Sequence, residues 1–160
     1  MITAHLPSGY LLGKVMRVDT RVLMFAAMVG AIFPDLDLLW FYYFDEKAFH
    51  HHRYWVHAPG FWLLFSPIII CVLAIWNRYI LKVFLTFLIG IYLHIFLDTI
   101  AGGIMWLWPF SDRLYELVRV QPTHNHFVLS FIAHWTFWLE IIIWILATFL
   151  LFRSKRSSLK

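Results

Sequence analysis

The sequence predicts an all-α integral membrane protein of about four transmembrane helices, preceded by an N-terminal amphipathic or re-entrant segment. Three observations carry this. The 160 residues are 62% hydrophobic and 20% aromatic but only 14% charged, far from the balance of a water-soluble domain. The apolar residues fall into long runs separated by short polar connections, as bilayer-crossing helices require. The basic residues flank those runs, so the net charge of +4 marks membrane edges and no nucleic-acid surface. The chain suits one membrane domain over 1–160, and its single cysteine, Cys71, excludes an internal disulfide.

Residues 2–18 mix Leu6, Leu11, Leu12 and Val15 with His5, Lys14 and Arg17, which is too polar to span and lacks the apolar core of a cleaved signal peptide. The first span is expected at 22–44, broken at Pro34 because proline removes a backbone donor and frees nearby carbonyls. It ends in Trp40-Phe-Tyr-Tyr-Phe44, an interfacial aromatic belt. A polar connection, 45–57, leads to a second span at 58–76, a short turn and a third span at 80–101. Gly102 and Gly103 stop that helix, and Ser111 is placed to cap a short amphipathic helix ending near Val120. The fourth span is expected at 127–152, before a polar cytoplasmic tail at 153–160.

With four spans, Lys14, Arg17, Arg21, Arg78, Lys82 and Arg153 share one side of the bilayer. The positive-inside bias therefore places both termini in the cytoplasm and the histidine-rich loops outside. His5 fits this only if its segment dips into the membrane.

The chemistry lies in three clusters. His94 and Asp98 are one helical turn apart, which puts an imidazole and a carboxylate on one face with roots roughly 6 Å apart. That pair is a ready ligand set for zinc or a similar divalent cation. Asp35 and Asp37 follow the Pro34 break, and a carboxylate at mid-span costs on the order of 2.5–3.5 kcal/mol, so two of them need a compensating cation or hydrogen bonds. His50, His51, His52 and Arg53, with His57 at the mouth of the next helix, form the third cluster; a merely solvated loop is the alternative for each of its first three members. His134 and Glu140 are six residues apart and do not share a helix face, and Glu140 could instead orient a ligating histidine. Arg53 could hold an anionic substrate group, and His124 and His126 stay open.

Ala4-His5-Leu6, Pro34-Asp35-Leu36-Asp37, His52-Arg53 with His57, His94-x-x-x-Asp98 and Trp106-Leu-Trp-Pro-Phe110 together resemble the predicted membrane-bound metal-dependent hydrolases of bacterial inner membranes, over roughly residues 4–112. The resemblance implies metal ligation by His5, Asp35, Asp37, His57, His94 and Asp98. The His-x-x-x-Asp element is also similar to one in the zinc-dependent phospholipases C, although the His-x-x-x-Glu partner of those enzymes is missing here.

The expected function is a membrane-embedded hydrolase that uses one or two divalent ions, zinc first among them, to activate water against a lipid or lipid-linked phosphoester. The expected ligands are His5, Asp35, Asp37, His52, His57, His94, Asp98 and His134; Asp37 or Glu140 would take the proton, and Arg53 would bind substrate. The alternatives are a metal or proton transporter and a metal-stabilised structural protein. Residues 22–33 carry no charged side chain and 83–93 offer only Thr86 and Tyr92, so polar groups crowd to one side, which favours a site over a path.

Overall fold

A computed structural model describes residues 3–46, 48–124 and 127–157; His126 and residues 158–160 of the tail lie outside them. The fold is all-α: α1 (His5–Val15), α2 (Arg21–Ile32), α3 (Asp37–Tyr43), α4 (Pro59–Trp76), α5 (Arg78–Ala101), α6 (Phe127–Ile132) and α7 (Phe137–Ser157). Among the described residues three helices, in α4, α5 and α7, are long and apolar enough to cross a membrane. The pair α2 and Pro34–Tyr43, bent by 54°, makes a fourth if it counts as one broken span.

α5 is the central helix. Ile91, His94, Ile95 and Asp98 repeat at the three- and four-residue spacing of one face, and all four are fully buried. The face opposite α2 is made of small residues. A Cβ on Gly90 would stand 2.6 Å from the Ala27 carbonyl oxygen and 2.9 Å from the Ala31 nitrogen, so the two backbones touch there. α1 packs on α2 in the same way, beside α5, where a Cβ on Gly9 would meet Met28 Cα at 2.7 Å and Ala31 Cβ at 2.8 Å. Three helices thus lie closer together than larger side chains permit, and they converge on the turn of α5 that bears His94.

Pro34 ends α2, and a 3-10 turn over Pro34–Leu36 redirects the chain into α3. The last carbonyls of α2 have no partner within the helix, and the one on Ala31 receives the His94 ring at 2.8 Å. Asn77 starts α5 by accepting from the Tyr79 and Ile80 amides at 2.9 and 3.1 Å.

Two segments differ from expectation. Residues 111–120 form no helix. Ile104 and Tyr115 exchange backbone bonds of 2.9 Å, and Leu117 and Val118 donate to the Thr99 and Ile100 carbonyls at 2.9 Å. The open carbonyls at the end of α5 take those donors, leaving the segment extended across the helix end. The run expected as one helix over 127–152 is broken between α6 and α7. There His134 Nδ1 lies 2.9 Å from Thr136 Oγ1 and accepts the Thr136 amide at 3.4 Å, a local side-chain bond competing with the helical ladder.

Lys14 and Lys82 lie toward one end of the helices. Lys82 approaches Asp19 at 3.4 Å and Lys14 reaches Ser154 at 3.2 Å, so the α1–α2 turn, the start of α5 and the end of α7 lie together. The start of α1 does not join them. Thr3 lies against Glu140, and the eleven residues of α1, about 16 Å long, carry His5 away from the basic end to the depth of the site. Single cysteines at His50 and Ser157, in a Cys71→Ser background, test sidedness with an impermeant thiol reagent on intact cells. Labelling at 50 alone is expected from the charge distribution; labelling at 157 alone would turn the molecule over.

Candidate metal centre

Each ligand candidate arrives by a different route. His94 and Asp98 come from one face of α5, His5 from the first residue of α1, Asp35 from the turn after Pro34, and His51, His52 and His57 from two short 3-10 turns ahead of α4. The buried carboxylate of Asp98 is the hub. His5 Nε2 stands 3.1 Å from its Oδ1, while His94, His52 and His57 Nε2 stand 3.0, 3.3 and 3.8 Å from its Oδ2. Asp35 faces the same space, with Oδ2 3.8 Å from His5 Nε2 and Oδ1 3.7 Å from His94 Nε2. Stacking of the His5 and His94 rings, centroids 3.8 Å apart, holds those two imidazoles in register.

The outer nitrogens are committed elsewhere. His94 Nδ1 faces the Ala31 carbonyl, His52 Nδ1 lies 2.6 Å from the Gly102 carbonyl, and His57 Nδ1 lies 2.8 Å from Asp37 Oδ2. A carbonyl only accepts, so the His94 and His52 contacts put the ring hydrogen on Nδ1 of those two rings and turn their Nε2 lone pairs inward, as second-sphere partners of metal-bound histidines do. Burial pushes the His57 imidazole down to about 3, the Asp37 contact only partly opposing it, so the ring is neutral and able to donate a lone pair.

His57 Nε2 and His94 Nε2 then face each other at 3.2 Å. With the ring hydrogen on Nδ1 of both rings, two lone pairs at that distance would repel unless something positive lay between them. A proton would relieve one pair; a divalent cation relieves every inward atom together. The spacings suit a cation, because ligands about 2.1 Å from one ion stand about 3.0 Å apart at a right angle and about 3.4 Å apart at the tetrahedral angle. Two groups have ligand atoms within 4.8 Å of one another: His5, Asp35, His94 and Asp98, and His51, His52 and His57. The buried histidines and aspartates can therefore hold a metal ion.

The structure brings together His5, Asp35, His52, His57, His94 and Asp98. Asp37 stands one layer out, against His57 and 3.7 Å from His51 Nδ1, with its side chain 6% exposed. His51, left open by the sequence, joins the second group; its place follows from a 3-10 turn that no periodic pattern announces. His134 belongs to neither group and bonds Thr136, and His124 is exposed and bonds Thr123. Glu140 is buried on α7 and takes its bonds from Thr3. Arg53 lies on the outer surface, 3.6 Å from Asp112.

Fold and site together define an all-α membrane protein with a buried histidine–aspartate centre fit for metal. The chain belongs to the YdjM inner membrane protein family, whose model matches residues 1–158. No curated protein and no solved structure matches it.

Proposed function

We propose that the protein is a metal-dependent hydrolase that cleaves a lipid or lipid-linked phosphoester at this centre, with zinc as its metal. The observation that carries the reading is the inward convergence of the Nε2 atoms of His5, His52, His57 and His94 on Asp98, with the outer nitrogens of His52 and His94 tied to backbone carbonyls. In this reading His5, Asp35, His94 and Asp98 hold one ion; His51, His52 and His57 hold a second where two bind. A divalent ion there supplies Lewis-acid polarisation of a phosphoryl oxygen and a nucleophilic water at neutral pH.

The chain's own residues do the rest. Asp37 fixes the direction of the His57 ring. The proton of the attacking water falls to Asp35, whose side chain is 25% exposed, whereas Asp37 is turned to His57 and Glu140 to Thr3. Arg53 stands at the rim, where a guanidinium meets an anionic headgroup. The lipid assignment rests on the approach. No residue of α3 is buried, and Leu36, Leu39, Trp40 and Tyr43 are each more than half exposed beside the least covered ligand, Asp35. An acyl chain lies naturally along that wall while its headgroup reaches the carboxylate.

Detergent-purified protein is expected to hold at least one zinc ion per chain and to hydrolyse a member of a lipid phosphoester panel. Chelation should abolish turnover and added Zn²⁺ should restore it. Stoichiometric metal without turnover on any substrate would reduce the centre to a structural one; protein free of metal after zinc loading would end the reading.

A further inference from the structure

Glu140 is buried on a helix that supplies no ligand to either metal group, yet it makes close polar contacts between α7 and the segment ahead of α1. Its Oε2 accepts the Thr3 amide at 2.9 Å and the Thr3 hydroxyl at 2.6 Å, and Trp144 Nε1 donates to the same hydroxyl at 3.2 Å. Only 1% of the residue is exposed, and it sits in the first turn of α7, where the helix dipole favours a carboxylate. Thr3 is two residues from His5.

We infer that Glu140 is a positioning residue for the metal centre: it latches Thr3 to α7 and so fixes the start of α1, and with it the His5 imidazole, in ligating position. This rests on the metal-binding reading of the site. The physical need is plain. His5 is the first residue of α1, the N-cap Ala4 offers no side-chain bond, and an uncapped helix start frays unless it is tied down. Within α1, Ser8 Oγ donates to the His5 carbonyl at 2.7 Å, which steadies the turn but not its placement against α5. The Glu140 bonds act across 137 residues of sequence and supply that placement. A ligand held in advance costs less ordering when metal binds, so the latch acts on affinity.

Zinc affinity of the full chain in detergent, by competition with a chelator, tests this in wild type and in Glu140→Ala, Glu140→Gln, His5→Ala and the double variant Glu140→Ala/His5→Ala. Glu140→Ala is expected to weaken zinc binding by about 10–100-fold, as loss of an outer-sphere partner does. Glu140→Gln, which keeps an acceptor for Thr3, should recover part of that loss. The double variant should bind no more weakly than His5→Ala, because the latch works only through His5. In Co²⁺-loaded protein, Glu140→Ala should change the visible ligand-field spectrum toward that of His5→Ala. If Glu140→Ala does not fold, Thr3→Val removes the hydroxyl's bonds to Glu140 and Trp144, keeps the amide bond, and carries the same expectations at smaller size. Wild-type affinity and spectrum in Glu140→Ala, or losses from Glu140→Ala and His5→Ala that multiply in the double variant, would overturn the latch while leaving the metal centre standing. Wild-type protein that binds no metal would remove both.

Discussion

Asp98→Asn is expected to lower zinc affinity by more than about 100-fold, since it removes a carboxylate that four imidazoles face, a larger change than loss of an outer-sphere partner. Turnover should fall with metal content, and His94→Ala should behave alike. The double variant should cost little more than either single change, because ligands of one ion act as a unit. Stability should move differently. If wild type binds zinc as proposed, free zinc at about 100 times Kd would add about 2.7 kcal/mol through binding to the folded state alone. Asp98→Asn should lose that gain, so its melts with and without chelator should coincide where those of wild type differ. A helix-capping role predicts the reverse pattern, since asparagine caps about as well as aspartate and metal content would stay unchanged. Metal analysis and thermal melts with and without chelator separate the two.

Gly90→Ala is expected to destabilise the α2–α5 crossing beside the metal centre. The added carbon meets the Ala27 carbonyl oxygen, the Ala31 nitrogen and the Gly30 carbonyl carbon at 2.6–3.0 Å, all backbone, so no side chain can swing aside. α2 and α5 must separate, at about 1–3 kcal/mol for overpacking. The same movement pulls the Ala31 carbonyl from the His94 ring and Asp35 from Asp98. Zinc affinity should therefore drop together with the melting temperature. Ile89→Ala, one residue away and 42% exposed, should change neither by much. A wild-type melt for Gly90→Ala would show that the helices do not cross as described.

Where the sequence was readable, the reason was helical periodicity. His94 and Asp98 share a face whatever the rest of the fold does, because four residues make about one turn. The break at Pro34 was equally legible, since proline cannot donate. The inward and outward choice between Asp35 and Asp37 was not, because it depends on how the 3-10 turn after Pro34 rotates the chain. The same holds for the roles of His51 and His52, set by a turn whose geometry comes from the backbone contacts around it. His5 illustrates a different limit: charge counting placed its segment at the basic end, which is right for Lys14, while the length of α1 carries His5 to the other end of that segment. The helix expected before Val120 failed because local propensity could not see the open carbonyls at Thr99 and Ile100. The apolar run around His134 hid the break before α7, where two polar side chains bond each other.

The shortness of α1 also governs the order of assembly. About 16 Å of helix cannot cross a hydrocarbon core about 30 Å thick, so α1 has no independent stable position in the bilayer. Its docking surfaces are α2, α5 and α7, and the residue that fastens Thr3 leaves the ribosome 137 residues after it. Of the described helices α1 comes first in order, yet in the latch reading the placement of His5 is complete only when α7 has been inserted. Metal captured earlier meets an incomplete ligand set, so a nascent chain halted before α7 should bind zinc weakly even though every candidate ligand of both groups has already been made.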